Sequence, residues 1–593
     1  MEDRLIGFRR LLVLGIGALV LRLGFLQVVE GRRFRQLAKQ NCLRLIPESA
    51  PRGLIFDRYG QVLAANHVTF QIAVVAQDLV TDSVQSRFQR ASSAAPDRQR
   101  LFAKLGRVVG RSPQELERQF HLSQSLPFLP AALVTRVPKA VALQVEELRL
   151  RMPGVVVQSV ATREYPFGPV AAHLLGYVGK PSEELFPMLK QYGVRAEDMV
   201  GRAGLEEAFD AALRGQTGGA LIQVNHRGRQ VRALGYRPPT PGDVVTLTID
   251  AKLEALIHEQ FGSQPGAAVV LKPQTGEVLA MVSVPSYDPT IFATQDQRAI
   301  QAVLTDAGSP LMNRAIAGVY LPGSIVKPIT GMTALENHIV TPTDTITCPG
   351  FLALGDRRFH CWNRDGHGPL TLPEALTQSC NVYFMQLSRR LGLAKLEAGF
   401  ASVGFGRRTG WLWEEQAGHL PRGRRFSEGE VAMLGMGQGE ILITPLQAAV
   451  MVSAIANGGS LVQPWLVSRV GEQPAGRAHL TALHWSREHV ATIQQGMLAV
   501  VNDPRGTGIG AHSEQVVIAG KTGTAQTHIP GRTHGWFIGF CPADQPIAAM
   551  AIVAEYGGSG GDIPAGIGKA ICEYLVAPPT SAPPTHAVQR PPI

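Results

Sequence analysis

Lysine is scarce in this chain of 593 residues, aromatic residues make up 6% and charged residues only 18%. With 45% hydrophobic residues, that balance excludes a disordered polyelectrolyte and fits globular domains. The formal net charge is nevertheless +10, carried mostly by arginine, which favours anionic surroundings. There is no zinc-finger spacing, RNP-like aromatic motif or long basic run, so nucleic acid is not the expected partner. Phospholipid or an acidic cell-wall polymer satisfies the charge equally well. No internal repeat is visible, which excludes a solenoid. The length calls for two or three domains, each large enough to bury a core.

Only one long hydrophobic run is present, LLVLGIGALVLRLGFLQVV at residues 11–29. Roughly 20 apolar residues span a bilayer as a helix. The run is followed by EGRRFRQ rather than by a small-residue cleavage site, so it reads as an uncleaved anchor preceded by a short segment, residues 1–10. Arg4, Arg9 and Arg10 on one side face Arg32, Arg33, Arg35 and Lys39 on the other, and the positive-inside count does not orient it. Arg22 lies inside the run, either snorkelling to the interface or meeting another membrane protein.

Residues 30–243 read as an extended mixed region. RGLIFDRYGQVLAAN (52–66) is a predicted hairpin around its DRYG turn, and REYPFGPVAAHLLGYVG (163–179) and GRAGLEEAFDAALRGQTGG (201–219) follow. A Pro/Gly turn, a strand and a helix start in TPGDVVTLTID (240–250) mark a boundary near residue 243. Beyond it, GAAVVLKPQTGEVLAMVSV (266–284) is a predicted antiparallel hairpin, helices follow, and strands return between residues 516 and 557. The pattern implies an α+β domain over 244–576 whose antiparallel sheet is closed by its first and last segments. The Pro-rich tail 577–593 is expected to be disordered.

The chemistry begins at YLPGSIVKP (320–328). Pro322 and Gly323 make a turn, Ser324 opens a helix, and Lys327 lies three residues on, on the same face. A desolvated lysine near a second cation is neutral enough to take a serine proton. Ser-x-x-Lys alone is a weak signal. Two further pieces strengthen it: QSCN (378–381) supplies Ser379 and Asn381, and GKTGT (520–524) supplies Lys521, Thr522, Gly523 and Thr524 on a late strand. Ser-x-x-Lys, Ser-x-Asn and Lys-Thr-Gly in that order form the motif set of penicillin-recognising serine acyltransferases.

On these motifs, and on the blocks at 52–66, 163–179 and 201–219 and GQGEILITPLQAA at 437–449, the chain resembles class B penicillin-binding proteins. FHCWNRDGHG (359–368) points to the elongation type, the penicillin-binding protein 2 group, rather than the division type. The resemblance implies a pedestal or dimerisation-like domain over 30–243, a transpeptidase domain over 244–576, and a catalytic part on the periplasmic side of the inner membrane. It implies that Ser324 attacks the carbonyl between two terminal D-Ala residues of a peptidoglycan stem peptide, and that an amine from a neighbouring stem resolves the acyl-enzyme. Lys327 would be the general base. Ser379 would relay a proton, Asn381 hold the substrate amide, and Lys521 and Thr522 receive the carboxylate. Gly523 would let the substrate backbone lie close, and the N–H groups of Ser324 and Thr524 would form the oxyanion hole. β-Lactams would acylate Ser324 as mimics. Implied partners are a RodA-type glycosyltransferase and the MreB-associated elongation machinery. A division-type transpeptidase, a β-lactamase and a scaffold activating a glycosyltransferase are the rival readings.

Three of the six cysteines, Cys348, Cys361 and Cys380, gather around His367. In an oxidising compartment a Cys348–Cys361 disulfide is one reading. It leaves a thiol and a histidine over, whereas Cys₃His is a closed structural zinc set. The family resemblance supports Zn²⁺ here, with Asp365 as the substitute should Cys348 not ligate. Cys42, Cys541 and Cys572 are expected to be solitary buried small hydrophobes.

Overall fold

A computed structural model of the chain describes residues 2–31, 43–79, 94–123, 129–191, 194–195, 197–224, 230–421, 423, 425–527 and 529–577. The flanking cations Arg32, Arg33, Arg35 and Lys39, Cys42, and the tail beyond Ala577 lie outside them. Contacts divide the chain into two compact units, and neither is a continuous stretch of sequence. The first comprises 1–52, 66–162 and 214–242; the second comprises 53–65, 163–213 and 243–593. The predicted boundary at 243 is where the chain enters the second unit for good, but two earlier segments already belong to that unit.

Helix α1, Glu2–Gly24, gives way to a π-helical turn, Phe25–Val29. Among the described residues no helix is long and apolar enough to cross a membrane. The predicted run is divided between α1 and the turn, and α1 itself carries Arg9, Arg10 and Arg22. Val13, Leu14, Leu19 and Leu21 on α1 are all exposed. The Arg22 guanidinium lies 5.5 Å from the Phe25 ring centre, a cation–π contact within its own segment.

In the first unit, Leu43–Glu48 pairs antiparallel with Gly218–Val224, which pairs in turn with Gln230–Arg237. Residues from Phe70 to Val75 pair antiparallel with Pro130–Val137. Helices Ala94–Val109 and Pro113–Ser123 supply Leu101, Phe102, Leu105, Leu116 and Phe120 to a core shared with Ile72, Val74 and Leu133.

The second unit begins with the predicted hairpin: β1 (Ile55–Phe56) pairs antiparallel with the start of β2 (Val62–Val75). Buried Asp57 fills the turn, its Oδ1 accepting from the N–H groups of Tyr59 and Gln61 at 2.8 Å each. Its Oδ2 accepts at 3.1 Å from the N–H of Ala251, the first residue of helix α2 (Ala251–Phe261). Asp250 caps the same helix at the N–H groups of Lys252 and Leu253, so two carboxylates serve N-terminal donors that have no intrahelical partner. The blocks at 163–179 and 201–219 meet the hairpin through buried Arg163, which donates to Glu206 Oε1 at 2.6 Å and to the Gly53 carbonyl at 2.8 Å.

The central sheet has the predicted form. Strands β3 (Gly266–Leu271), β4 (Val278–Val284), β5 (Ala519–Gln526), β6 (Thr533–Cys541) and β7 (Ala548–Ala554) are all antiparallel and lie in the order β4-β3-β7-β6-β5. Along β3, Ala267, Val269 and Leu271 enter one core while Ala268 and Val270 enter another. Both faces are covered by helices, which is why these strands read as unbroken apolar runs rather than alternating ones. The larger core takes in helices α3 (Lys327–Glu336), α4 (Leu372–Thr377), α5 (Asn381–Leu391) and α6 (Pro445–Ala456). The smaller takes in α2, the end of α7 (Arg487–Asn502) and α8 (Ile563–Val576).

The expectation for two cysteines is overturned. Cys541 and Cys572 form a disulfide linking the end of β6 to α8. Their separation of 31 residues hid the pairing, which exists because α8 packs back across the sheet.

Candidate active site

Ser324 sits in a 3-10 turn, Gly323–Val326, that runs directly into α3, with Lys327 as the first residue of that helix and Pro328 in its first turn. Proline is harmless there because the first helical N–H groups have no intrahelical partner. The turn is pressed against β5: a Cβ on Gly523 would stand 2.9 Å from Ile325 Cγ2 and 3.1 Å from the Pro322 carbonyl oxygen. Behind it, the Gly323 N–H donates to the Gly437 carbonyl at 2.9 Å. A Cβ on Gly437, whose φ is +74°, would fall 2.1 Å from the Gly323 carbonyl oxygen, so only glycine fits. The GQGE block therefore backs the Ser324 turn.

Lys327 and Lys521 are both fully buried. Lys327 Nζ donates at 2.8 Å to the Ser379 carbonyl and at 2.8 Å to Asn381 Oδ1, and stands 3.3 Å from Ser379 Oγ. Lys521 Nζ donates at 2.9 Å to Ser379 Oγ and at 2.9 Å to the Thr522 carbonyl. Ser379 thus lies between two amines, and the three motifs form one network. Burial pushes Lys327 down to about 8, against a smaller opposing pull from Cys380 and Cys361. Burial, then the Lys327 charge, holds Lys521 well below the ordinary lysine value. A neutral Lys327 keeps both of its short bonds, since two N–H groups serve two carbonyl oxygens and leave the lone pair free.

Ser379 occupies the joint between α4 and α5 in the left-handed region, φ +50°, which costs a non-glycine residue about 1 kcal/mol or more. Cys380 then caps α5, its Sγ accepting from the Tyr383 N–H at 3.4 Å. The same sulfur belongs to the predicted cluster. The ligand atoms of Cys348, Cys361, His367 and Cys380 all lie within 4.8 Å of one another. His367 Nδ1 is 3.5 Å from Cys348 Sγ and 3.6 Å from Cys361 Sγ. All three cysteines are free and buried, so the Cys348–Cys361 disulfide is excluded. Asp365 is exposed and outside the group. The cluster rests on a short ladder, Ile346–Cys348 against Gly368–Leu370, and on the Cys361 N–H donating to the Gly350 carbonyl at 2.9 Å. Hydrogen bonding from Cys380 pulls the Cys361 thiol down to about 4, while the same contact and burial push Cys380 up. Such thiols cannot all ionise together without a cation among them.

Residues 266–573 match the family model described as penicillin binding protein transpeptidase domain, and residues 47–247 match the penicillin-binding protein dimerisation domain. Over 602 residues the chain is 31% identical to Peptidoglycan D,D-transpeptidase MrdA of Escherichia coli strain K12, covering 94% of this chain and 91% of that protein. The chain belongs to the class B penicillin-binding proteins. MrdA of Acinetobacter baumannii is 30% identical, over 95% of this chain and 86% of that one. Among solved structures, the complex between penicillin-binding protein PBP2 and MreC from Helicobacter pylori is similar, with a TM-score of 0.77 and 26% identity over 90% of this chain and 99% of that chain.

In this penicillin-binding protein every residue that the motifs single out falls around the Ser324 turn or on β5. Sequence reasoning missed Thr507, whose Oγ1 lies 2.7 Å from Thr522 Oγ1, and Gln438, whose Nε2 donates to the Thr524 carbonyl at 3.3 Å. Gln438 lies within the quoted GQGE block, but nothing in that block said it would reach β5. Thr507 had no local signal.

Proposed function

We propose that this class B penicillin-binding protein is the peptidoglycan D,D-transpeptidase of cell elongation, working through a Ser324 acyl-enzyme that β-lactams also form. The observation that carries the reading is the buried Lys327–Ser379–Lys521 chain placed behind the Ser324 turn. Neutral Lys327 takes the Ser324 proton as Oγ attacks the penultimate D-Ala carbonyl. Ser379, bridging the two amines, returns a proton to the leaving D-Ala nitrogen. The peptide N–H groups of Ser324 and Thr524 stabilise the oxyanion, Asn381 orients the substrate amide, and Gly523 leaves room for the substrate backbone. An incoming amine then repeats the steps in reverse, and water in its place gives a carboxypeptidase side reaction. The match to MrdA proteins, together with the similar PBP2 structure in complex with MreC, supports the elongation assignment over the division type.

The cysteine cluster fits a structural Zn²⁺: four buried or half-buried S and N ligands, with His367 Nδ1 turned toward two thiols. Cys348, Cys361, His367 and Cys380 would hold it, and bound there it would tie the segment carrying Cys348, Cys361 and His367 to the start of α5. Cys380 in turn fixes Ser379 and Asn381 on either side. The exposed apolar residues of α1 support a membrane anchor over residues 11–29, with the catalytic unit in the periplasm. A RodA-type glycosyltransferase and MreB-associated machinery are the partners of this reading, supported by the similar PBP2 structure being a complex with MreC.

Labelling membrane-extracted protein with a fluorescent penicillin tests the function. A stable adduct on wild type that disappears in Ser324→Ala is expected. No adduct on folded wild type would refute the catalytic reading and leave the scaffold role, and rapid loss of label would indicate a hydrolase.

A further inference from the structure

Thr507 stands apart from the three motifs, yet its hydroxyl is in the site. It follows α7 in the segment Asp503–Gly508, which is closely held: the Gly506 N–H donates to the Asp503 carbonyl at 2.8 Å and the Gly508 N–H to the Val500 carbonyl at 2.9 Å. A Cβ on Gly506 would fall 2.2 Å from the Val500 carbonyl oxygen, and one on Gly561 would fall 2.8 Å from the Thr507 carbonyl oxygen. The backbone on which Thr507 stands therefore has little freedom. From there Oγ1 reaches Thr522 Oγ1 at 2.7 Å, a short bond on a residue only 7% exposed.

The direction of that bond matters. Two hydroxyls hold two protons, and one of these lies in the bond between them. Lys521 Nζ directs N–H groups to Ser379 Oγ and the Thr522 carbonyl. The lysine contributes potential, while the Thr522 hydroxyl is the neighbouring group able to donate directly. It can donate to an incoming carboxylate only if Thr507 donates to it.

We propose that Thr507 is a positioning residue of the carboxylate subsite: its O–H donates to Thr522 Oγ1 and so aims the single Thr522 proton at the terminal carboxylate of the donor peptide. The inference rests on the transpeptidase reading. A hydroxyl that accepts one hydrogen bond is also a better donor in the next, so the pair binds the anion more tightly than Thr522 alone.

The test compares second-order acylation of Ser324 by a fluorescent penicillin and by its methyl ester, which lacks the anionic carboxylate. Thr507→Val removes the hydroxyl at nearly constant volume. Its acylation by the acid should fall about tenfold, the size of a lost hydrogen bond to a charged group, with the ester changed less than about twofold. Thr507→Ser should restore the acid-to-ester ratio of wild type. Equal losses for acid and ester, or an unchanged ratio, would overturn the proposal, because a merely structural role moves both reagents together. Should Thr507→Val not fold, the same ratio is read from Thr507→Ala, since position 507 is only half-buried. Failure of the parent reading looks different: wild type itself would then form no Ser324 adduct with either reagent.

Discussion

If Lys327 is the base, acylation must follow its neutral fraction. Burial lowers this group to about 8. The neutral fraction is then about a hundredth at pH 6 and about nine-tenths at pH 9, so the acylation rate should rise about 90-fold across that interval, with unit slope below the midpoint. The assay is stopped-flow acylation by a penicillin carrying no titrating amine. A flat profile between pH 6 and 9 would refute the assignment, as would acylation retained in Lys327→Ala. Stability has the same sign. The folded pKa lies below the unfolded one, so the unfolded chain binds the extra proton between pH 8 and the ordinary lysine value. The burden of about 3 kcal/mol is therefore full below pH 8 and is relieved as pH rises through that window. Negative charge at the Cys361–Cys380 pair opposes the downward shift. A dication bound to them cancels that effect, so the limb of metal-loaded protein should lie below that of chelated protein.

Three other outcomes are expected. Cys361→Ser should abolish stoichiometric zinc, measured by metal analysis of protein purified without chelators, and lower the melting temperature; full activity with no zinc in wild type would sink the metal site. Removing the Cys541–Cys572 disulfide by a double alanine substitution should cost about 4 kcal/mol for a loop of 31 residues, read by urea unfolding. An unchanged midpoint would show the bond does not form in solution. Gly437→Ala should slow acylation about a hundredfold by displacing the Ser324 turn. Gly439→Ala, at φ +92° with nothing near its Cβ, should stay far closer to wild type in the same assay.

The gathering of the three motifs was legible because the residues of each are neighbours in sequence. Ser324 and Lys327 share one turn, Ser379 and Asn381 one helix joint, and Lys521 to Thr524 one strand. The cysteine cluster was legible because thiols and a histidine have few other reasons to gather. What the motifs could not reveal depends on long-range packing. Asp57 looks like an ordinary turn residue until α2 arrives to be capped, and Arg163 and Glu206 look like surface charges until they meet in a core. Cys541 and Cys572 seem unrelated until α8 crosses the sheet. The apolar run at 11–29 shows the opposite limit: composition suggested one uninterrupted helix, and the backbone divides it at Gly24.

The cap that Asp57 places on Ala251 also sets an order of events during synthesis. The two residues are 194 positions apart. At about 5–20 residues per second, the hairpin waits roughly 10–40 s after it is made before the helix it must cap has been synthesised. During that interval Asp57 Oδ2 has no helix to cap. The first unit can close around Asn66–Thr162 early, but the catalytic unit is assembled from pieces made at very different times. A chain truncated to begin near residue 244 would leave the first turn of α2 without one of its two carboxylates, and the trimmed enzyme would be less stable than its size suggests.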